Sequence, residues 1–243
     1  MGILQRLFKK PEDPEEGCAV IVVAAGSATR MEGIDKIMTP LGGTPLILHT
    51  LAPFQASPLV EEIVIVTQED KMVEIGTLCS RNGFDKVKRI VKGGVTRTDS
   101  VWAGLKEVSK SAGYLAIQDG ARPFVTREII EETIQTAKAR SAAAPAIPVK
   151  DTIKRAEDGV VTETLDRASL FAIQTPQVFA APLIRAGIQK AVEEKISLTD
   201  DCAAVERLGC PVALTQGSEE NIKITTPADL ILGEAILAAR EEV

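Results

Sequence analysis

VVAAGSATRMEGIDK, residues 22–36, runs an apolar strand into two alanines and a glycine, then sets an arginine and a lysine six residues apart. A packed core has no use for those cations, and a plain turn needs neither the small side chains nor the charges. In a doubly wound sheet, ligands sit beyond the carboxyl ends of the strands, near a switch in strand order. A loop leaving the first strand there must bring backbone N–H groups close to the ligand. Ala24, Ala25 and Gly26 suit that task, because small side chains let the main chain approach and Gly26 is free to take a positive φ. Backbone amides alone make a weak anion nest. With Arg30 and Lys36 beside it, the nest becomes a site for several negative charges, such as a triphosphate.

Other phosphate fingerprints fit less well. A dinucleotide loop wants G-x-G-x-x-G, and Ala28 stands where the second glycine belongs. A Walker loop wants G-x-x-x-x-G-K-[ST], and the Gly26, Gly33 and Lys36 spacing misses it. Read by itself, the stretch is equally a strand and turn with solvated cations.

Outward from this loop, short apolar runs alternate with helical patterns. Residues 18–25, 62–67, 87–91, 114–118 and 142–147 read as strands, several apolar throughout, as in a parallel sheet covered on both faces. Residues 45–55, 71–82, 97–109 and 126–140 read as helices between them. This predicts an α/β fold with a doubly wound, mostly parallel sheet. After Pro148 the rhythm breaks. Residues 149–155 and 160–165 flank Glu157-Asp158-Gly159, which reads as a hairpin protruding from the main body. Helices follow at 182–194 and from Thr199-Asp200-Asp201, then a strand at 212–216 and a last helix. There Thr226 is the N-cap, Pro227 the first helical residue and Asp229 the third, as in a capping box. The expected organisation is a leader at 1–17, amphipathic or disordered, and one domain over 18–243 with a β-arm at about 149–170.

The chain of 243 residues is 45% hydrophobic and 26% charged, ample for a sizeable core. A net charge of −6 argues against nucleic acid as a partner, although a local cationic pocket is compatible with it. Cys18, Cys79, Cys202 and Cys210 form no CxxC pair and read as reduced, buried thiols of a cytoplasmic protein. No apolar run approaches the roughly 18 residues that span a bilayer. The only histidine, His49, sits in LILHTL and reads as a helix or core residue.

The segments AAGSATRM with DK, GGVTRTDSVWAGL (93–105), QDGARPFV (118–125), PVKDTIKR (148–155), LDRASLFAIQTPQVF (165–179), TDDCAAVE (199–206) and NIKITTPADL (221–230) occur in a telling order. Together they resemble the sugar-phosphate nucleotidyltransferases with a Rossmann-like fold, in the branch of the 2-C-methyl-D-erythritol 4-phosphate cytidylyltransferases of the non-mevalonate isoprenoid pathway. The likeness spans essentially residues 18–240. It implies attack by a sugar-alcohol phosphate on the α-phosphate of CTP, with pyrophosphate leaving. The nucleophile is already an anion, so the difficulty is electrostatic, and fixed cations with Mg2+ or another divalent cation across the triphosphate are the natural answer.

By that resemblance Arg30 and Lys36 stabilise the transition state, while Arg167 and Lys223 hold the incoming phosphate. Surface cations are the ordinary alternative for all four. CTP is expected on Ala24, Ala25, Gly26, Gly94, Ser100 and Asp119, with Ser100 as the hydroxyl for the pyrimidine edge or simply a residue near a helix N-terminus. Asp119 is also placed near the acceptor, and Arg122 is a rival structural partner for it. Thr152 joins the acceptor contacts from the arm. In the family the arm crosses to a second subunit, so Thr152 and Arg167 would serve the neighbour's site in a homodimer. No protein ligand for the metal is assigned; Asp200-Asp201 read as helix-start acids. Ala28, Asp35 and Val95 depart from the family pattern, and Val95 puts one polar contact to the base or ribose in doubt. The rivals are a ribitol-5-phosphate cytidylyltransferase and a CTP-binding relative without turnover.

Overall fold

The computed structural model describes residues 17–26 and 37–241. Its centre is an eight-stranded sheet, ordered β10 (Phe171–Ile173), β7 (Ala142–Pro148), β11 (Gln177–Ala180), β6 (Tyr114–Asp119), β1 (Cys18–Val23), β4 (Val60–Thr67) and β5 (Val87–Lys92), with β12 (Ala213–Gln216) also on β7. Strand β1 (Cys18–Val23) lies between β4 (Val60–Thr67) and β6 (Tyr114–Asp119), parallel to both, and β5 (Val87–Lys92) extends the β4 side in parallel. Every residue of β6 is buried, as are the first five of β1, which is why these segments read as continuous apolar runs.

The expected strands and helices are present, most with ends moved by a few residues; the first hairpin strand, expected over 149–155, runs over Lys154–Glu157 and takes in the start of the expected turn. Beyond β6 the sheet gains two strands that the sequence reading did not separate. Strand β11 (Gln177–Ala180) inserts antiparallel between β6 and β7 (Ala142–Pro148), and β10 (Phe171–Ile173) pairs antiparallel with the far end of β7. Strand β12 (Ala213–Gln216) runs parallel to β7 along its opposite edge, so that Ala143 pairs with Val178 of β11 on one side and with Ala213 on the other. A small hairpin, β2 (Pro40–Leu41) with β3 (Thr44–Pro45), is likewise additional.

Helices α1 (Leu46–Ala56) and α4 (Arg127–Arg140) pack together, as do α3 (Arg97–Glu107) and α5 (Ala181–Glu193), while α2 (Met72–Arg81) lies on β5. Helix α3 starts at a full capping box: Thr96 Oγ1 accepts from Asp99 N–H at 3.1 Å, and Asp99 Oδ2 accepts from Thr96 N–H at 3.0 Å. Helix α6 (Cys202–Glu206) is a short turn following Asp200-Asp201. Helix α7 (Pro227–Glu241) has the predicted start, with Asp229 Oδ2 accepting from Thr226 N–H at 2.8 Å. His49 meets the Leu41 carbonyl at 2.9 Å and so ties α1 to β2. All four cysteines are free and buried.

Strands β8 (Lys154–Glu157) and β9 (Val160–Thr164) form a separate two-stranded sheet with every residue exposed. Asp158 and Gly159 join them at φ 49° and 80°, the left-handed pair that a tight hairpin demands and that an Asp-Gly dipeptide supplies. No helix among the described residues is long and apolar enough to cross a membrane.

Candidate active site

The chain leaves β1 to lay β4 and β5 on one side, then returns with β6 on the other. The carboxyl ends of β1 and β6 therefore flank a switch in strand order, where an α/β sheet opens a crevice. A cavity of about 570 Å3 lies there, within the range of small-molecule sites. Its lining comes from the loop after β1 (Ala24, Ala25, Gly26), from Gln68 after β4, from the stretch Gly94–Arg97 with Ser100, and from Asp119, Ala121 and Lys223.

Tight packing shapes the loops. A Cβ on Gly93 would fall 2.3 Å from Ala25 Cβ, and one on Gly94 would fall 2.2 Å from Asp99 Cβ. These two glycines thus let the β5 loop close onto the β1 loop and onto the start of α3. Gly26 does not use its left-handed freedom, and a Cβ there would meet open space among the described residues. Ser100 is buried; its Oγ donates to the Thr96 carbonyl at 3.0 Å and accepts from Gly94 N–H at 3.1 Å. Its hydroxyl thereby braces the glycine loop; Ser100 lies near the N-terminus of α3, as expected, and also lines the cavity, while Thr96 is the N-cap.

Asp119 ends β6 and is the one carboxylate lining the cavity among the described residues. Lys223 Nζ stands 2.8 Å from its Oδ2, Arg97 Nη2 3.5 Å from its Oδ1 and Arg122 Nε 3.7 Å from Oδ2. Burial alone would push this carboxyl up, but Lys223, Arg97 and Arg122 outweigh that and hold it below the usual carboxylate range. The Arg122 reading is therefore the weaker contact: Arg122 is lowered by burial and spends Nη1 on the Asn221 carbonyl at 2.6 Å. That bond steadies the segment that carries Lys223.

Arg97 is the residue that sequence reasoning missed. Its fork takes the Asp201 carboxylate at 2.9 Å (Nη1 to Oδ1) and 2.6 Å (Nη2 to Oδ2). Burial works against the Arg97 charge, but Asp201, then Asp119 and Asp200, outweigh it and hold the guanidinium more firmly protonated. For Asp201, burial and the neighbouring carboxylates Asp119 and Asp200 push the carboxyl up against the pull of Arg97. The signal was its position between Gly94 and Ser100 in GGVTRTDSV. Asp200 does act at a helix start, its Oδ1 accepting from Ala203 N–H at 3.1 Å. Asp201 stands at the N-cap of α6, but its side chain caps nothing and pairs with Arg97 instead.

The cavity thus gathers Ala24, Ala25, Gly26, Gly94, Ser100, Asp119 and Lys223. Thr152 and Arg167 are exposed and are not among the residues lining it; Arg167 Nη1 donates to the Lys150 carbonyl at 2.7 Å. Arg30 and Lys36, with Ala28 and Asp35, lie outside the described residues, as does most of the 1–17 leader. Val95 is fully exposed at the cavity rim.

A sequence model of the IspD family, 2-C-methyl-D-erythritol 4-phosphate cytidylyltransferase, matches residues 18–239. The chain belongs to this family. The cytidylyltransferase of Halalkalibacterium halodurans is 47% identical over 224 residues, covering 92% of this chain and 98% of that protein. That of Clostridium novyi is 46% identical over 228 residues, covering 91% and 96%. The crystal structure of the 4-diphosphocytidyl-2C-methyl-D-erythritol synthase of Anaerococcus prevotii superposes with a TM-score of 0.82 at 30% identity, over 92% of this chain and 97% of that one. The architecture is accordingly the nucleotidyltransferase α/β fold, and the chain is a cytidylyltransferase by family.

Proposed function

We propose that the cavity beyond β1 and β6 is the active site in which this chain transfers CMP from CTP to 2-C-methyl-D-erythritol 4-phosphate. The products are 4-diphosphocytidyl-2-C-methyl-D-erythritol and pyrophosphate, an isoprenoid-precursor step. The observation that carries the site is the Lys223–Asp119 contact of 2.8 Å at the switch in strand order, inside a cavity large enough for a nucleotide.

An oxygen of the acceptor phosphate attacks the α-phosphorus of CTP; the new P–O bond forms as the bond to the β-phosphate oxygen breaks, and pyrophosphate carries the electron pair away. No proton need leave the nucleophile. Lys223 neutralises the incoming phosphate, and Asp119 fixes where its ammonium stands. Ala24, Ala25 and Gly26 bring the main chain to the nucleotide, while the Gly94 loop, braced by Ser100, forms the facing wall. Arg30 and Lys36 supply the charge that stabilises the transition state.

Among the described residues no three His, Cys, Asp or Glu side chains gather into a cation cage. The single carboxylate that lines the cavity among those residues, Asp119, suits Mg2+ or a similar divalent ion, which usually takes only one or two carboxylates and would ride chiefly on triphosphate oxygens and water, neutralising charge on the departing pyrophosphate.

Residues 18–243 work as one cytidylyltransferase domain, and two copies pair through the arm, so that Thr152 and Arg167 reach the neighbour's cavity. The exposure of Val160 and Val161 on the hairpin and of Phe171, Ile173 and Leu214 on the sheet edge supports that pairing. Four buried free thiols accord with a cytoplasmic setting.

The test is mass spectrometry of the protein incubated with CTP, Mg2+ and a mixture of methylerythritol phosphate and ribitol 5-phosphate. The methylerythritol product alone is expected. A ribitol product would reassign the acceptor, and nucleotide binding with no product would make the chain a non-catalytic relative.

A further inference from the structure

The Arg97–Asp201 pair takes no part in holding either substrate in the reading above, yet it is built with unusual care. Asp201 is 1% exposed. Its backbone N–H and that of Cys202 both donate to Gln177 Oε1, at 2.9 and 3.0 Å, and Gln177 is itself buried in β11. The sheet thus fixes the Asp201 backbone, and the planar fork of Arg97 fixes the guanidinium on the Asp201 carboxylate. From there Nη2 still stands 3.5 Å from Asp119 Oδ1.

Arg97 lines the cavity, and a cation there would be expected to grip phosphate. Its two best donors are committed to Asp201 instead. Three cations, Arg97, Arg122 and Lys223, surround Asp119, and Arg97 reaches it only at 3.5 Å while its fork closes on Asp201. We propose that Asp201 is a positioning residue: it holds Arg97 back from the substrate phosphates and from closer pairing with Asp119, leaving Asp119 to seat Lys223 for the acceptor. The pair sets both the charge of the cavity and the place of its working lysine.

This inference rests on the cavity being the active site, and its test relies on charge signs that a scaffold role would not produce. Asp201→Asn frees Arg97 and adds one positive charge, so KM for CTP and for methylerythritol phosphate should fall about five-fold, while kcat falls about ten-fold as Arg97 competes with Lys223 for Asp119. Arg97→Gln removes a positive charge, so acceptor KM should rise about five-fold. The double variant Arg97→Gln/Asp201→Asn removes both charges, and its KM values should return to within about two-fold of wild type. Melting temperatures of all three are read alongside. Should Asp201→Asn not fold, the rise in Arg97→Gln and the return in the double variant carry the same test. KM values unchanged in every folded variant, or moving the same way in both single variants, would overturn the proposal. Lys223→Ala separates the two failures: wild-type kinetics there would sink the cavity assignment itself, whereas lost acceptor use there with unchanged KM in the Arg97 and Asp201 variants would sink only the role of this pair.

Discussion

Lys223 Nζ lies 2.8 Å from Oδ2 of Asp119, joining the segment before α7 to the end of β6 across the mouth of the cavity. Neither residue is free to move alone. Asp119 N–H donates to Thr175 Oγ1 at 3.1 Å, and the Lys223 segment is tied through Asn221, whose Nδ2 donates to Gln174 Oε1 and to the Thr175 carbonyl, both at 3.1 Å. One short connection between β10 and β11 therefore positions both members of the pair.

Replacing Asp119 with Asn leaves Arg97, Arg122 and Lys223 without their shared carboxylate. Breaking a buried pair by removing one partner costs about 3 kcal/mol. A urea titration should show that loss at neutral pH, with turnover falling together with it. The Asp119 carboxyl sits below its unfolded value near about 4. Its contribution is therefore complete above that value and is lost as pH falls through the lower folded one. The stability gap between wild type and Asp119→Asn should hold constant down to about pH 4 and shrink below it. A gap that grew on acidification would contradict the ionised, paired state.

Gly93→Ala forces a Cβ to within 2.3 Å of Ala25 Cβ, so the loop after β1 must move. A shift of about 1 Å in a positioning element can cost about a hundred-fold. Calorimetric titration should show CTP affinity reduced at least about ten-fold in a folded variant. Unchanged affinity would mean that the main chain at Ala24–Gly26 does not touch the nucleotide.

Phe171 is 44% exposed on β10, beside the exposed Ile173, on a sheet edge. Under the pairing proposed above, Phe171→Asp should shift the protein towards monomer in sedimentation equilibrium. Activity should fall together with dimer content, because Thr152 and Arg167 would no longer reach a neighbouring cavity. A variant that stays monomeric and fully active would place those two residues outside catalysis.

Much of this was legible locally. The run CAVIVV announces a strand covered on both faces, Asp158-Gly159 announces a tight hairpin, and Thr226 with Asp229 announces a helix start. What the chain conceals is non-local. Strand β11 is only four residues, QVFA, too short for a period to show, and its antiparallel insertion depends on edges supplied by β6 and β7. Arg97 and Asp201 meet across the fold, and neither local spacing nor charge pattern links them. Ser100 lines the cavity, as its residue type suggested, but that its hydroxyl also joins Thr96 to Gly94 was not visible in the sequence. Local rules cannot say which of two satisfied partners a hydroxyl chooses.

In the proposed reaction Lys223, seated by Asp119, receives the acceptor phosphate in this cavity. Steady-state kinetics of Lys223→Ala, with methylerythritol phosphate varied at saturating CTP, tests it most directly. The acceptor KM should rise at least about ten-fold, with CTP affinity by calorimetry within about two-fold of wild type. A folded Lys223→Ala protein with an unchanged acceptor KM would contradict it.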